Sequence, residues 1–201
     1  MSRIHSQADQ LIPPHLIGLN HVTHEQFEEL CQEYPDLRLE LTSSGELIVM
    51  PPAGHQTGVR NFNLTAQLGA WTKKDGTGVG GDSSAGYTLP NGAIRSPDVS
   101  WVRREKFERL SDRQKQGFPP MCPDFVVELR SPTDNLLPLQ NKVGEYLTNG
   151  VSLGWLIDPL KRRVYVYRAG EEVVVLENPA VVSGEPLLPG FELQMEEIWL
   201  N

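Results

Sequence analysis

One segment constrains the fold more than any other: residues 125–129 read FVVEL, an almost continuous apolar run rich in valine. A short run of this kind is typical of a central strand that is covered on both faces. A helical pattern follows over 136–149, with Gly150 at the position where a helix commonly ends. The order strand then helix predicts a sheet with helices packed against it.

The rest of the chain mixes helical and extended patterns. Thr23 and Gln26 form a capping-box pattern, which predicts a helix that runs to about Tyr34. Alternating leucines over 37–41 and an apolar run over 47–50 flank a Ser-Ser-Gly turn, which indicates a hairpin. The pattern over 56–73 predicts a helix with Phe62 and Leu64 on its apolar face, and the segment 103–115 is polar and helix-prone. Between them, 76–89 is expected to be a loop that ends in a strand near Tyr87. Further strands are predicted at 98–102, 154–158, 163–167 and 173–176.

Length and composition set the frame for these elements. A chain of 201 residues is long enough to bury a core without disulfides, and the sequence has no repeat or linker, so we expect one domain over 1–201. Cys31 and Cys122 are far apart and indicate buried thiols. No apolar run has the length of a membrane span or a signal peptide, so we expect a cytoplasmic protein with no membrane partner. The mixed order of elements predicts an α/β or α+β fold with a mixed sheet.

Glu128 is the anomaly of the central strand, because a charged side chain among apolar neighbours is costly unless it is paired or bound to a metal. Side chains alternate along a strand, so Glu128 and Arg130 are expected to project from the same face. Two interpretations stay open at this point. Glu128 belongs either to a buried ion pair or solvated strand end, or to a functional site.

Asp98 strengthens the functional interpretation. It follows Ser96-Pro97 at the start of a predicted strand, where an aspartate is also common simply as a turn residue. If this strand is the neighbour of the Glu128 strand, the two carboxylates converge. Converging carboxylates hold hard cations such as Mg²⁺ or Mn²⁺, and a cation so held can stabilise charge on a scissile phosphate.

The segments that carry a family resemblance are spread over nearly the whole chain, and each is weak alone. They are 39–41 (LEL), 45–47 (GEL), 50–52 (MPP), His55, 96–102 (SPDVSWV), 123–134 (PDFVVELRSPTD), Lys142 with Tyr146, 150–151, 155–159 (WLIDP) and 188–191 (LPGF). As an ordered set they resemble the Uma-two putative restriction endonuclease family, which is common in cyanobacteria and belongs to the PD-(D/E)XK nuclease superfamily. The resemblance implies a restriction-endonuclease-like mixed β-sheet flanked by helices, here with an N-terminal helix and β-hairpin.

The resemblance also implies a metal site. Asp98 matches the metal-binding aspartate of the superfamily, and Glu128 matches its second acid. Glu40 matches an acid found upstream in related nucleases, often on the first helix. Here Glu40 lies on an alternating strand, where the other interpretation is a polar residue on the solvent-facing side. We expect Asp98, Glu128 and Glu40 to hold Mg²⁺ or Mn²⁺ as catalytic residues.

The last position of the superfamily motif is usually lysine, but this chain has Arg130. Arginine stays protonated and cannot act as a general base, although it can bind a phosphate with two hydrogen bonds. We expect Lys142 to take the lysine's catalytic role and Arg130 to hold the phosphate. Lys142 lies one helical turn before Tyr146, so both face the same side of the predicted helix. Apart from the resemblance, a solvated helix lysine and a core aromatic are the simpler interpretations of these two residues.

The resemblance therefore predicts a Mg²⁺-dependent DNA endonuclease without a small organic cofactor. We also expect a homodimer, because exposed edge strands are often covered by pairing and double-strand cutting is simplest for a twofold dimer. Arg130 in place of lysine leaves open a catalytically degenerate nuclease fold that binds nucleic acid or a protein. A carboxylate-pair glycosidase ranks last, because aromatic residues make up only 7% of the chain. The net charge of −8 argues against a general nucleic-acid binder and predicts poor DNA binding without a divalent cation.

Overall fold

The computed structural model describes residues 13–200, and helices and strands alternate along them in a mixed order. After a 3₁₀ turn at Pro14–Leu16, the elements are α1 His24–Glu33, β1 Arg38–Leu41, β2 Leu47–Met50, α2 His55–Asp75, β3 Gly78–Asp82, β4 Tyr87–Thr88, β5 Ile94–Arg95, β6 Val99–Arg103, α3 Arg104–Glu108, α4 Asp112–Gln116, β7 Phe125–Leu129, α5 Leu136–Thr148, β8 Leu153–Asp158, β9 Arg163–Arg168, β10 Val174–Glu177, β11 Val181–Ser183, β12 Glu192–Gln194 and α6 Glu196–Trp199.

The predicted N-terminal helix and hairpin are confirmed. Thr23 and Gln26 form both hydrogen bonds of a capping box at the start of α1. Strands β1 and β2 pair antiparallel around the turn at Gly45, which has a positive φ of 81°. The backbone of residues 21–22 approaches Gly45 so closely that a side chain there would be crowded as well as strained.

A mixed six-stranded sheet forms the centre of the fold, in the order β10-β9-β8-β7-β6-β3. Strands β7 and β8 are parallel and α5 is their crossover, whereas the other neighbours are antiparallel. All five residues of β7 are buried, as expected for a central strand. The prediction of an α/β fold with a mixed sheet flanked by helices is confirmed.

The two faces of this sheet are covered by different helices, and β7 shows the division. Phe125, Val127 and Leu129 pack into a core with Leu64 and Leu68 of α2. Val126 packs on the opposite face with Tyr146 of α5. Because Glu128 follows the same alternation as Val126, its side chain points toward α5.

A second sheet brings the hairpin to one end of the central sheet. Its strand order is β2-β1-β5-β4, and β1 pairs with β5 through Leu41 and Ile94. Residues 96–98 then lead from β5 directly into β6 of the central sheet. This short connection joins the two sheets, and its last residue is Asp98 of the predicted site.

Strand β3 is missed by the sequence analysis, because the segment Gly78–Asp82 is rich in glycine, which is uncommon in strands. The glycines are required by close packing. A Cβ atom at Gly78 would lie 2.1 Å from the Trp101 ring, and one at Gly81 would lie 2.7 Å from the hydroxyl of Ser100. Tertiary packing therefore overrides the local preference at this strand.

One face of α2 also differs from the prediction. Phe62, expected on the apolar face, is 72% exposed, and the buried stripe runs instead through Thr57, Leu64, Leu68 and Thr72. Asn61 lies on this stripe, four residues after Thr57 and three before Leu64. In the described part of the chain, no helix is long and apolar enough to cross a membrane.

Candidate active site

Asp98 and Glu128 come together through strand register. Strands β6 and β7 pair antiparallel with Val99 opposite Val127, so Asp98, which precedes Val99, lies beside Glu128, which follows Val127. The two carboxyl groups are close enough for the charge of Asp98 to raise the pKa of Glu128. The two carboxylates were expected to converge if their strands were neighbours, and β6 and β7 are neighbours in the central sheet.

Asp98 is held firmly by the strand beside it. Its Oδ2 accepts a hydrogen bond of 2.8 Å from the backbone N–H of Leu129, and its Oδ1 accepts one of 3.3 Å from the Asn61 amide. Burial raises the pKa of Asp98, while the Leu129 N–H, Lys142 and Arg38 act in the opposite direction. The aspartate is therefore a structural part of the sheet end and more than a turn residue.

Lys142 connects two of the predicted acids. Its Nζ lies 2.9 Å from Glu128 Oε1 and 2.9 Å from Glu40 Oε1. Tyr146, one turn later on α5, donates a hydrogen bond of 3.2 Å to Glu128 Oε1 and is itself fully buried. The expectation that both residues face one side of the helix is borne out by these contacts, and Lys142 is not a solvated surface lysine.

Glu40 is buried, with 2% exposure, and not on a solvent-facing side of its strand. Its Oε1 also accepts the backbone N–H of Ser96 at 2.9 Å, and its Oε2 pairs with Arg95 at 3.1 Å. Arg95 in turn pairs with Glu145 of α5 at 2.7 Å. The hairpin, the 96–98 connection and α5 are thus linked by one buried network of ion pairs and hydrogen bonds.

Burial and charge shift the pKa values of this network in opposite directions. Burial raises the pKa of Glu128 to about 7, against the lowering effect of Lys142 and with a further rise from Asp98 and Glu40. For Glu40 burial also acts upward, but Lys142 and Arg95 outweigh it and the pKa is lowered. The carboxylates Glu128 and Glu40 raise the pKa of Lys142 despite its burial, so Lys142 stays protonated at neutral pH.

The raised pKa of Glu128 predicts that the cation-free protein loses stability as the pH rises from 5 to 8. An unfolded glutamate ionises near 4.5, whereas folded Glu128 keeps its proton up to about pH 7. Between these values the folded state binds the extra proton, so its stabilisation is present at low pH and is lost as the pH rises through 7. The expected loss is about 3 kcal/mol, at 1.36 kcal/mol per pKa unit.

Urea unfolding in EDTA at the two pH values measures this loss. Glu128→Gln cannot titrate and is expected to remove most of the pH dependence. An equal loss in the wild-type protein and the variant would contradict the assignment.

Arg130 lies beside the site but is engaged by other groups. Its Nη1 pairs with Asp158 Oδ2 at 2.8 Å, and its Nε donates to the carbonyl of Asp134 at 3.1 Å. Asp158 ends the neighbouring strand β8 and is fully buried. The structure therefore explains the arginine as a partner of Asp158, and its predicted contact with a phosphate stays a prediction.

Three residues of the site neighbourhood are missed by the sequence analysis. Arg95 and Glu145 carry no motif, since only the pairing of β1 with β5 and the packing of α5 bring them to Glu40. Asn61 had one available signal, which is a polar residue on the buried stripe of α2. The prediction that Phe62 lies on the apolar face of this helix hides the position of Asn61.

The donor atoms of the site fit a hard divalent cation in part. Within residues 13–200, no three His, Cys, Asp or Glu side chains form a group that could hold a metal ion, and the binding of a cation by Asp98, Glu128 and Glu40 stays a prediction. The carboxyl groups of Asp98 and Glu128 nevertheless lie close enough to interact electrostatically, and the nearby Asn61 Oδ1 is buried without a hydrogen-bond partner. Oxygen atoms of this kind are the ligands that Mg²⁺ and Mn²⁺ prefer.

Comparison with known structures defines the class of the fold. The chain is similar to the crystal structure of "a putative nuclease belonging to DUF820" from Anabaena variabilis, with a TM-score of 0.74 and 20% sequence identity. The similarity covers 89% of this chain and 98% of that chain. No curated protein matches the sequence significantly.

The family follows from the sequence itself. Residues 24–196 match the family model of Uma2, described as "Putative restriction endonuclease". The match covers most of the chain, which therefore belongs to the Uma2 family. The resemblance carried by the sequence motifs is confirmed.

Proposed function

We propose that this protein is an endodeoxyribonuclease that depends on a divalent cation and hydrolyses phosphodiester bonds. The observation that carries the proposal is the placement of Asp98 beside Glu128 at the end of the central strand, with the Lys142 ammonium 2.9 Å from Glu128. Two carboxylates and a protonated lysine at one point are the groups that a phosphoryl-transfer site needs. Membership of the Uma2 family supports the same reaction class.

The residues divide into those that would hold the cation and those that position them. Asp98 and Glu128 are the proposed ligands of Mg²⁺ or Mn²⁺, which when bound lowers the pKa of a water molecule and neutralises charge on the phosphate. Lys142 keeps its proton, so it acts as a fixed positive charge and not as a general base. Glu40 orients Lys142 and Arg95 as a positioning residue, and Arg130 donates to the phosphate.

Cleavage of supercoiled plasmid DNA tests the proposal. The purified protein is expected to convert it to nicked or linear forms with Mg²⁺ or Mn²⁺ and to lose this activity in EDTA. The activity should coelute with the protein in gel filtration, which controls for a contaminating nuclease. Cleavage unaffected by EDTA, or no cleavage by the folded protein with either cation, would contradict the proposal.

A non-catalytic nucleic-acid-binding fold is the second candidate. The observation that favours it is the direct contact of Lys142 with both Glu40 and Glu128, which already compensates part of their charge. Filter binding with a labelled DNA duplex distinguishes the two. The nuclease requires a divalent cation for tight binding because the chain carries a net charge of −8, whereas tight binding in EDTA without cleavage would support the binding fold.

We also propose that the protein is a homodimer, and β10 supports this. β10 is an edge strand of the central sheet in the described chain, and Val174 and Val175 are 46% and 44% exposed. Exposed apolar edge strands commonly pair with another chain. Sedimentation equilibrium is expected to give the mass of two chains, and Val174→Lys should shift the mass toward one. A wild-type mass of one chain at all concentrations would contradict the dimer.

A further inference from the structure

A buried oxygen atom without a partner lies next to the proposed cation ligands. The Asn61 side chain of α2 donates from Nδ2 to Asp98 Oδ1 at 3.3 Å, but its Oδ1 is buried and accepts no hydrogen bond. A buried carbonyl oxygen that has lost water without gaining a donor is unfavourable in a folded protein. A buried acceptor of this kind indicates a bound partner that does not belong to the protein chain.

The orientation of this amide is fixed by charge. Turning it by 180° would place Oδ1 against the carboxylate oxygen of Asp98, so that two acceptors would face each other, and it would leave the NH₂ group buried without an acceptor. Because the NH₂ group must face the carboxylate, Oδ1 must occupy the position without a donor. The missing partner of Oδ1 is therefore an electron-pair acceptor, which means a hydrogen-bond donor or a cation.

The other partnerless atoms lack this chemical setting. Buried side-chain atoms without a partner in residues 13–200 also include Nε1 of Trp101 and Trp155, which are donors and cannot bind a cation, and Oγ1 of Thr72. Thr72 lies eleven residues further along α2. Asn61 is the member of this group whose own side chain contacts an acid of the site.

We propose that Asn61 is a third oxygen ligand of the divalent cation, beside Asp98 and Glu128. This rests on the proposed function and extends it, since Asn61 takes the ligand position that the sequence assigned to Glu40. A neutral ligand suits this position, because two carboxylates already balance the charge of a divalent cation. The negative charge of a third acid would have to be balanced by Lys142, which already pairs with Glu40 and Glu128. The NH₂ group of the same side chain keeps Asp98 in place before the cation arrives.

Calorimetric titration with MnCl₂ tests the proposal on the full chain. Asn61→Ala removes both the oxygen and the NH₂ group and is expected to weaken Mn²⁺ binding about tenfold or more. Asn61→Asp also removes the NH₂ group but keeps an oxygen in place, so it is expected to bind Mn²⁺ more tightly than Asn61→Ala. Asn63→Ala is the matched control, because Asn63 lies on the same helix but bonds to the carbonyl of Glu197, and no change is expected.

The two variants separate a ligand from a residue that only positions Asp98. If positioning were the sole role, Asn61→Asp and Asn61→Ala would weaken Mn²⁺ binding equally, and that result would overturn the proposal. Unchanged affinity in Asn61→Ala would overturn it as well. If the wild-type protein is folded and binds no Mn²⁺, the proposed function fails together with this inference. If Asn61→Asp does not fold in EDTA, Asn61→Ser supplies a neutral oxygen and is expected to bind more tightly than Asn61→Ala; equal affinity would overturn the proposal.

Discussion

Replacing Asp98 with asparagine is expected to lower the rate of plasmid cleavage about a thousandfold and to leave the protein folded. The amide keeps the shape of the carboxylate and an oxygen that can accept the Leu129 N–H, but it removes the negative charge beside Glu128. A thousandfold loss corresponds to about 4 kcal/mol, a size expected when a cation ligand is lost from a site that works by electrostatic stabilisation. The initial rate of loss of supercoiled plasmid at saturating Mn²⁺ measures the effect.

Asp124 offers a matched control for this prediction. It precedes β7 as Asp98 precedes β6, and its Oδ2 accepts the backbone N–H of Arg103 at 2.9 Å, the same kind of contact that Asp98 makes. It lies at the opposite end of β7 from Glu128. Asp124→Asn is therefore expected to cleave at the wild-type rate. Equal losses in both variants, or wild-type activity in Asp98→Asn, would remove Asp98 from the site.

Replacing Lys142 with methionine is expected to lower the free energy of unfolding by about 3–5 kcal/mol at pH 8. The ammonium lies 2.9 Å from Glu40 and from Glu128, both of which are almost fully buried. Removing one partner of a buried ion pair leaves an uncompensated charge, which destabilises by this amount. Urea unfolding in EDTA gives the free energy directly.

Two further variants define the origin of this loss. Adding Glu128→Gln to Lys142→Met should restore part of the stability, because the amide no longer needs a counter-charge. Arg109→Met is the control: it removes a positive charge whose partner, Glu105, is 76% exposed like the arginine itself, so the loss should be below about 1 kcal/mol. A stability of Lys142→Met within 1 kcal/mol of the wild-type value would show that the cluster is hydrated and not a buried ion-pair network.

The candidate site was predictable where local pattern and family motif coincide. Asp98 and Glu128 were identified because one follows a proline at a strand start and the other interrupts an apolar strand. Their proximity depended on a condition that the sequence left open, namely that β6 and β7 are neighbours in a register that places the two acids side by side. Register depends on pairing between segments about thirty residues apart, which no local pattern encodes.

The surroundings of the acids were much less predictable. Arg130 was expected to project with Glu128, and the alternation along β7 supports that direction, but the buried Asp158 at the end of β8 engages its guanidinium. The basic residues of 103–115 follow the far end of β6 from Asp98, and Lys106 among them pairs with Asp124. Packing therefore decided which positive charges reach the acids: Lys142 contacts Glu40 and Glu128, whereas Lys106 pairs with Asp124.

The sequence by itself determined the elements whose signals are local. The capping box of α1, the hairpin, the buried central strand and the helix that follows it all appear where the residues predict them, because capping, alternation and apolar runs act over a few neighbouring residues. Tertiary structure alone decided which polar groups meet. The turn of α2 that brings Asn61 to Asp98 and exposes Phe62, and the ion pairs of Glu40 with Arg95 and Lys142, arise from packing between distant segments. Burial there makes each unpaired charge costly, so these long-range contacts, and not the local sequence, set the charge and chemistry of the site.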